Sequence, residues 1–167
     1  IWSILGGGEE QEGQISEAAR HAVALGLTNQ TVIIDDNGYQ IEGRGGDVDG
    51  ADIGEVWRGY GWNVVIVDGH NHGQLLEEML RARNRAKGAK KPTCIIAKTI
   101  KGKGVSYFEK DPTGSHGAVP KDPGVQKQAL EEISRAIGKY SPRAVERFKR
   151  SIRMSREEKA KIDKANE

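Results

Sequence analysis

Residues 6–8 are three consecutive glycines that close the strand-like run "IWSIL" (1–5) and lead through Glu9, Glu10, Gln11 and Glu12 toward a helical pattern. A glycine turn between a strand and a helix lets a ligand approach the backbone, and the N–H groups there favour an anion such as a phosphate. A tight structural turn satisfies the same pattern. Further along, "DDNGYQIEG" (35–43) follows a β-branched run. Asn37 offers a side-chain oxygen and Tyr39 a backbone carbonyl, both hard ligands suited to Mg2+. Asn is also an ordinary turn-former. "KTIKGKG" (98–104) and "SHG" (115–117) bring Lys101 and His116 into the loop that follows the last apolar run.

These residues need elements to position them. The apolar runs "IWSIL" (1–5), "TVIID" (31–35), "WNVVIVDG" (62–69) and "PTCIIAKTI" (92–100) read as buried strands. Between them, 14–26 and 72–88 show helical spacing, with Gly26 a C-cap. Segment 43–54 is rich in Gly and Asp and reads as a loop, as does 101–120. Strands without alternation, separated by helices, predict an α/β fold with a parallel sheet covered by helices on both faces. Ligands of such sheets sit at the carboxyl ends of the strands. The glycine turn, "DDNGYQ", "DGHNH" (68–72) and "KTIKGKG" all fall at such ends. From Val125 onward the chain reads as helical, broken by "GKYSP" (138–142).

The chain has 167 residues, enough for one well-packed domain, with 36% apolar and 30% charged residues. Such modest hydrophobicity implies a small core or one completed by a partner. A net charge of +2 does not imply nucleic-acid binding. The basic excess lies in residues 141–167, with nine Lys/Arg against five Asp/Glu. That face reads as solvated or as a docking helix. The single cysteine, Cys94, lies in an apolar run and reads as a buried structural thiol. No stretch reaches the roughly 20 apolar residues that span a membrane, and the expected location is cytoplasmic. His21 reads as a packing or surface residue, and His70 and His72 as structural.

Taken in order, "GGGEEQEGQISEA", "DDNGYQIEG", "GWNVVIVDGH", "KPTCIIAKTIKGKG" and "SHG" resemble transketolase. The resemblance is to the diphosphate-binding half of this thiamine-diphosphate enzyme, over roughly residues 1–120. It leaves 121–167 as a helical C-terminal extension. The bacterial or short form, sometimes split into two subunits, is the nearest in pattern. The resemblance implies transfer of a two-carbon ketol unit from a ketose phosphate to an aldose phosphate, with thiamine diphosphate and Mg2+. It implies Asn37 and the Tyr39 carbonyl as metal ligands, and Gly6, Gly8, Glu9, Ile41 and Ile100 around the cofactor. Lys101 and His116 correspond to the Lys and His beside the diphosphate and reacting carbonyl, and Glu12 and Glu17 to glutamates at a dimer interface. A diphosphate carries about three negative charges, so backbone donors, a divalent cation and a nearby Lys suit it.

Two departures accompany the resemblance. The family pattern is Gly-Asp-Gly-Glu-x-x-Glu-Gly, and Gly7 stands where the metal-binding Asp belongs. Two readings follow: a degenerate or inactivated cofactor site, or one in which water or another carboxylate, of Asp35, Asp36, Glu9 or Glu10, substitutes. "TGSHG" also replaces the usual Trp-His-Gly. Second, the family's preceding residues and its pyrimidine-binding domain are not in this sequence. Activity is therefore expected only with other chains that supply them, in a dimer or higher assembly, and the incomplete sheet is expected to expose an apolar edge. The alternatives are another thiamine-diphosphate enzyme component, of 2-oxoacid dehydrogenase or deoxyxylulose-phosphate synthase type, and a non-catalytic structural subunit.

Overall fold

The β-branched run Thr31–Asp36 and the run Thr93–Lys98 supply the two inner strands of a four-stranded parallel sheet. The computed structural model describes residues 1–40, 43–44, 50–85, 88, 90–114, 116–117, 119–139 and 142–143. In chain order its elements are β1 (Trp2–Gly6), α1 (Gly13–Ala24), β2 (Thr31–Asp36), β3 (Tyr39–Gln40), β4 (Gly43–Arg44), α2 (Ile53–Gly59), β5 (Asn63–Asp68), α3 (His72–Arg85), β6 (Thr93–Lys98), α4 (Ser106–Lys110) and α5 (Pro123–Gly138). The sheet order is β1-β2-β6-β5, and β3 with β4 forms a small antiparallel hairpin. Two compact units result: residues 1–103 with 108–119, and residues 104–107 with the chain from Pro120 onward.

Crossover direction decides which face each helix covers. The chain steps from β1 to β2 and on to β5, then reverses to β6. Right-handed crossovers place helices on one face for one direction and on the opposite face for the other. Accordingly Ala19 and Ala22 of α1 and Trp57 of α2 pack with Leu5, Val32, Ile34, Cys94 and Ile96. On the other face Ala82 of α3, with Leu75 and Met79, packs on Val67, Ile95 and Ala97. Residues 93–97 of β6 are buried throughout, which explains a strand without polar alternation. Each fully buried Ile (Ile34, Ile95) contributes about 1.5–3 kcal/mol relative to exposure. Edge strand β1 differs: Trp2 and Ile4, two positions apart on one face, remain 44% and 74% exposed.

An aromatic cluster anchors α2. Trp57 is 1% exposed and meets Trp62 edge-on at 4.9 Å and Tyr60 at 6.0 Å. Trp62 donates to the Ala19 carbonyl at 2.9 Å, and the Ser16 and Tyr60 hydroxyls bond at 2.7 Å. Helix α2 begins inside the segment read as a loop. Asp52 caps it by accepting from the Glu55 N–H at 2.8 Å, and an apolar anchor five residues past the cap outweighs the surrounding glycines. Likewise α4 forms within 101–120. In the second unit, α5 starts at Pro123 under the Asp122 cap. Its Glu132 carboxylate accepts from the Ser106 hydroxyl and N–H, each at 2.7 Å, and from Gln128. These bonds hold its pKa down at about 2. Among the described residues no helix is long and apolar enough to cross a membrane. Residues 144–167, which carry most of the basic tail, lie outside the described ones.

Cys94 has no exposed surface, and burial pushes its thiol pKa up to about 12, with the Glu10 carboxylate adding to the effect. The thiol therefore stays protonated in the folded protein while it ionises in the unfolded chain from the ordinary value of 9.0. Folding stability is expected to fall as pH rises from 9 toward 12. Denaturant titrations across that range should show a smaller fall in Cys94→Ala, and thiol labelling at pH 8 should proceed only on unfolding.

Candidate functional site at the strand carboxyl ends

Parallel register brings the carboxyl ends of the strands into one row. Gly6 is level with Asp35, and Lys98 lies between Asp36 and Asp68. Asp35 binds three segments to itself. Its carbonyl accepts the Gly7 N–H at 3.1 Å, its Oδ1 accepts the Thr99 hydroxyl at 2.5 Å, and its Oδ2 accepts from Asn37 Nδ2 at 3.3 Å. The glycine turn, the Asn37 turn and the exit of β6 are thus tied to one residue. Asn37 Oδ1 accepts the Tyr39 N–H at 3.0 Å, an Asx turn that Gly38 completes with φ 74°. Asp36 pairs with the Lys98 ammonium, and its carbonyl accepts the Thr99 N–H at 3.0 Å.

These segments border a cleft of about 260 Å3 whose lining includes Gly7, Asp36, Tyr39, Gln40, Asp52 and Lys98. The glycine turn is held from within. Glu9 accepts the Gly6 N–H at 3.1 Å, and buried Glu10 accepts from Trp57 Nε1 at 3.0 Å. Gly6 and Glu9, both expected at the cofactor, therefore bond to one another. Each of the four carboxylates considered as substitutes for a residue-7 ligand already has a partner: Asp35, Asp36, Glu9 and Glu10. Among the described residues no group of three His, Cys, Asp or Glu is arranged to hold a metal. The oxygens present fit a weakly held cation: Asn37 Oδ1, which keeps a lone pair beyond the Tyr39 N–H it accepts, and the Tyr39 carbonyl are hard and neutral, and a Cβ has room at position 7. A Cβ on Gly7 would meet only the Asp35 carbonyl at 3.4 Å and Asp36 Cα at 4.0 Å, ordinary contact distances.

The remaining expected residues spread outward. Gly8 is exposed beside Gln40. Ile100 is 47% exposed and leads into a turn in which Gly102 takes a positive φ. Lys101 is half-buried and has no ion-pair partner among the described residues. His116 sits in an exposed turn, its N–H donating to the Thr113 carbonyl at 3.1 Å. No hydrogen bond joins its side chain to the strand-end cluster among the described residues. Glu12 and Glu17 are exposed, the first as the N-cap position of α1. Ile41 lies outside the described residues. Sequence pattern alone assigned no role to Thr99 and did not reveal the bridging by Asp35. The signal present was the pair Asp35-Asp36 directly before Asn37, whose partners lie more than sixty positions away in the chain.

An α/β domain with a parallel sheet, and with a glycine turn, a bonded Asn and a lysine-bearing loop at its strand ends, belongs to the class that seats ligands at those ends. Residues 1–144 match the family described as "Transketolase, thiamine diphosphate binding domain", and the chain belongs to that family. Among relatives, the chain is 39% identical over 110 residues to the 6-deoxy-6-sulfo-D-fructose transketolase subunit SqwG of a Clostridium species, covering 65% of this chain and 39% of that protein. It is 34% identical over 138 residues to one of the subunits of the apulose-4-phosphate transketolase of Phocaeicola vulgatus, covering 81% of this chain and 47% of that one. Human transketolase is 34% identical over 140 residues, 80% of this chain and 20% of its own. The chain spans less than half the length of each. The Campylobacter jejuni transketolase structure shares the fold, with a TM-score of 0.56 at 24% identity over 87% of this chain and 27% of its own.

Gly69 is a constraint on this site. A Cβ there would lie 2.5 Å from Thr99 Cγ2 and 3.1 Å from the Lys98 carbonyl. Gly69→Ala is expected to displace Thr99 from Asp35 and destabilise the fold by about 1–3 kcal/mol, measurable by urea denaturation. Gly13→Ala, with nothing within 4 Å of the added carbon, should not.

Proposed function

We propose that this chain is the diphosphate-binding part of a transketolase, residues 1–120 forming that portion and 121–167 an extension. The complete enzyme moves a two-carbon ketol unit from a ketose phosphate to an aldose phosphate. The observation that carries the reading is the junction at Asp35, which gathers the glycine turn, Asn37 and the Thr99 segment at one end of the sheet. Family membership and relatives named as transketolase subunits support it. When bound, thiamine diphosphate supplies the electron sink that ketol transfer requires.

The chain's own residues bind and orient. Asn37 Oδ1 and the Tyr39 carbonyl hold Mg2+, and Gly6, Gly8 and Glu9 shape the turn that faces the diphosphate. Ile41 and Ile100 pack the cofactor's apolar parts, and Lys101 offsets diphosphate charge. His116 donates to the substrate oxygen where charge accumulates. Other chains supply the rest of the site, with Glu12 and Glu17 at an interface between copies. Relatives described as subunits accord with such an assembly. A second reading, a non-catalytic structural subunit, is favoured by one observation: position 7 offers no carboxylate and its four neighbours are already engaged.

Calorimetric titration of thiamine diphosphate with Mg2+ into the assembled protein decides between them. Saturable binding, lost in Asn37→Ala and tightened about 10–100-fold in Gly7→Asp, is the expected result. Absence of saturable binding in the native protein, restored by Gly7→Asp, would establish the structural-subunit reading instead. Absence in both removes the cofactor altogether.

A further inference from the structure

We propose that His70 is a positioning residue: it holds the segment 99–103, and with it Ile100 and Lys101, in the conformation that meets the cofactor's diphosphate. This rests on the thiamine diphosphate binding proposed above. His70 Nε2 accepts the Ile100 N–H at 2.7 Å, across thirty residues of sequence. An accepting Nε2 belongs to a neutral imidazole whose proton is on Nδ1.

The ring is itself aimed by its own turn. The His70 N–H donates to Asp68 Oδ1 at 2.9 Å, and the Gly69 N–H to the Lys98 carbonyl at 2.8 Å. Asn71 Oδ1 accepts the Gln74 N–H at 3.1 Å, and Gln74 Oε1 accepts the Asp68 N–H at 3.0 Å. The turn after β5 is therefore a rigid bracket pressed against the exit of β6. From the opposite side Asp35 and Asp36 grip Thr99. Ile100 is the first residue past that grip, where the sheet no longer offers its N–H a partner, and His70 provides one. The Ile100 carbonyl then accepts the Lys103 N–H at 3.1 Å, closing a turn through Gly102 at φ 75°.

Lys101 lies inside this turn, so its backbone is held through the bond at Ile100. The exposure of the segment argues that it is prepared for a ligand. Its backbone is fixed at both ends of Ile100, yet the Ile100 side chain is 47% exposed and Lys101 has no ion-pair partner among the described residues. A fixed backbone that leaves the Ile100 side chain exposed is the arrangement expected of a preformed binding segment.

The test compares His70→Ala and His70→Gln in the full assembled protein. Gln places an acceptor oxygen near the position of Nε2. Amide exchange without cofactor is read first: His70→Ala should raise exchange in 99–103 about tenfold or more and leave 93–98 unchanged. Titration of thiamine diphosphate with Mg2+ is read second: His70→Ala should weaken binding about tenfold, and His70→Gln should restore both readings. Unchanged exchange in His70→Ala overturns the inference. So does raised exchange with unaltered cofactor affinity, or a His70→Gln protein no better than His70→Ala. A native protein that binds no cofactor overturns the proposed function and the positioning role with it, whereas the exchange reading by itself still decides whether His70 holds the segment.

Discussion

Asp35 is the constraint on which the site depends, because it bonds at once to the glycine turn, to the Asn37 turn that follows it and to Thr99 at the exit of β6. Its position is fixed by strand register, level with Gly6 on one side and Ala97 on the other. Its backbone carbonyl therefore faces the glycine turn while its carboxylate faces both Asn37 and Thr99. An ionised carboxylate accepts only, so it cannot bond another acceptor and selects donors on both sides. Charge-assisted bonds of this type are stronger than neutral ones. Asp35 Oδ1 and Oδ2 each already accept one hydrogen bond, from Thr99 and from Asn37.

The neighbouring charges follow the same logic. Asp36, with 11% side-chain exposure, is offset by Lys98, the next strand's matching residue. Glu10, only 7% exposed, is offset by the indole N–H of Trp57 and lies close enough to raise the Cys94 thiol pKa. The glycine turn is thereby fastened to the aromatic cluster beneath it, and packing in the core is transmitted to the site. Helix α2, which carries Trp57, is as much a part of the site as the turn it supports.

The sheet and its helices were legible because burial writes itself into composition. Residues 93–97 are apolar or small without interruption, and the helices at 13–24 and 72–85 show a continuous apolar stripe. Helix α2 was hidden by the glycines and aspartates before it, although Asp52 and Glu55 have cap spacing and Trp57 supplies the anchor. The two-residue strands β3 and β4 are too short to carry periodicity. Within the site, residue types revealed candidate ligands, but not which carboxylates were committed elsewhere. Asp36 with Lys98, Asp35 with Thr99 and His70 with Ile100 are all long-range pairs set by register rather than local pattern.

Position 7 separates scaffold from chemistry. Its backbone does what the turn demands, donating to Asp35, and its φ is one any residue adopts. The space at its Cβ is open to ordinary contact. Nothing in the packing therefore selects glycine there, unlike Gly69, where Thr99 excludes a side chain. A frame built from Asp35, Glu10 and the parallel register asks nothing of a side chain at residue 7, so the fold does not depend on which residue stands there.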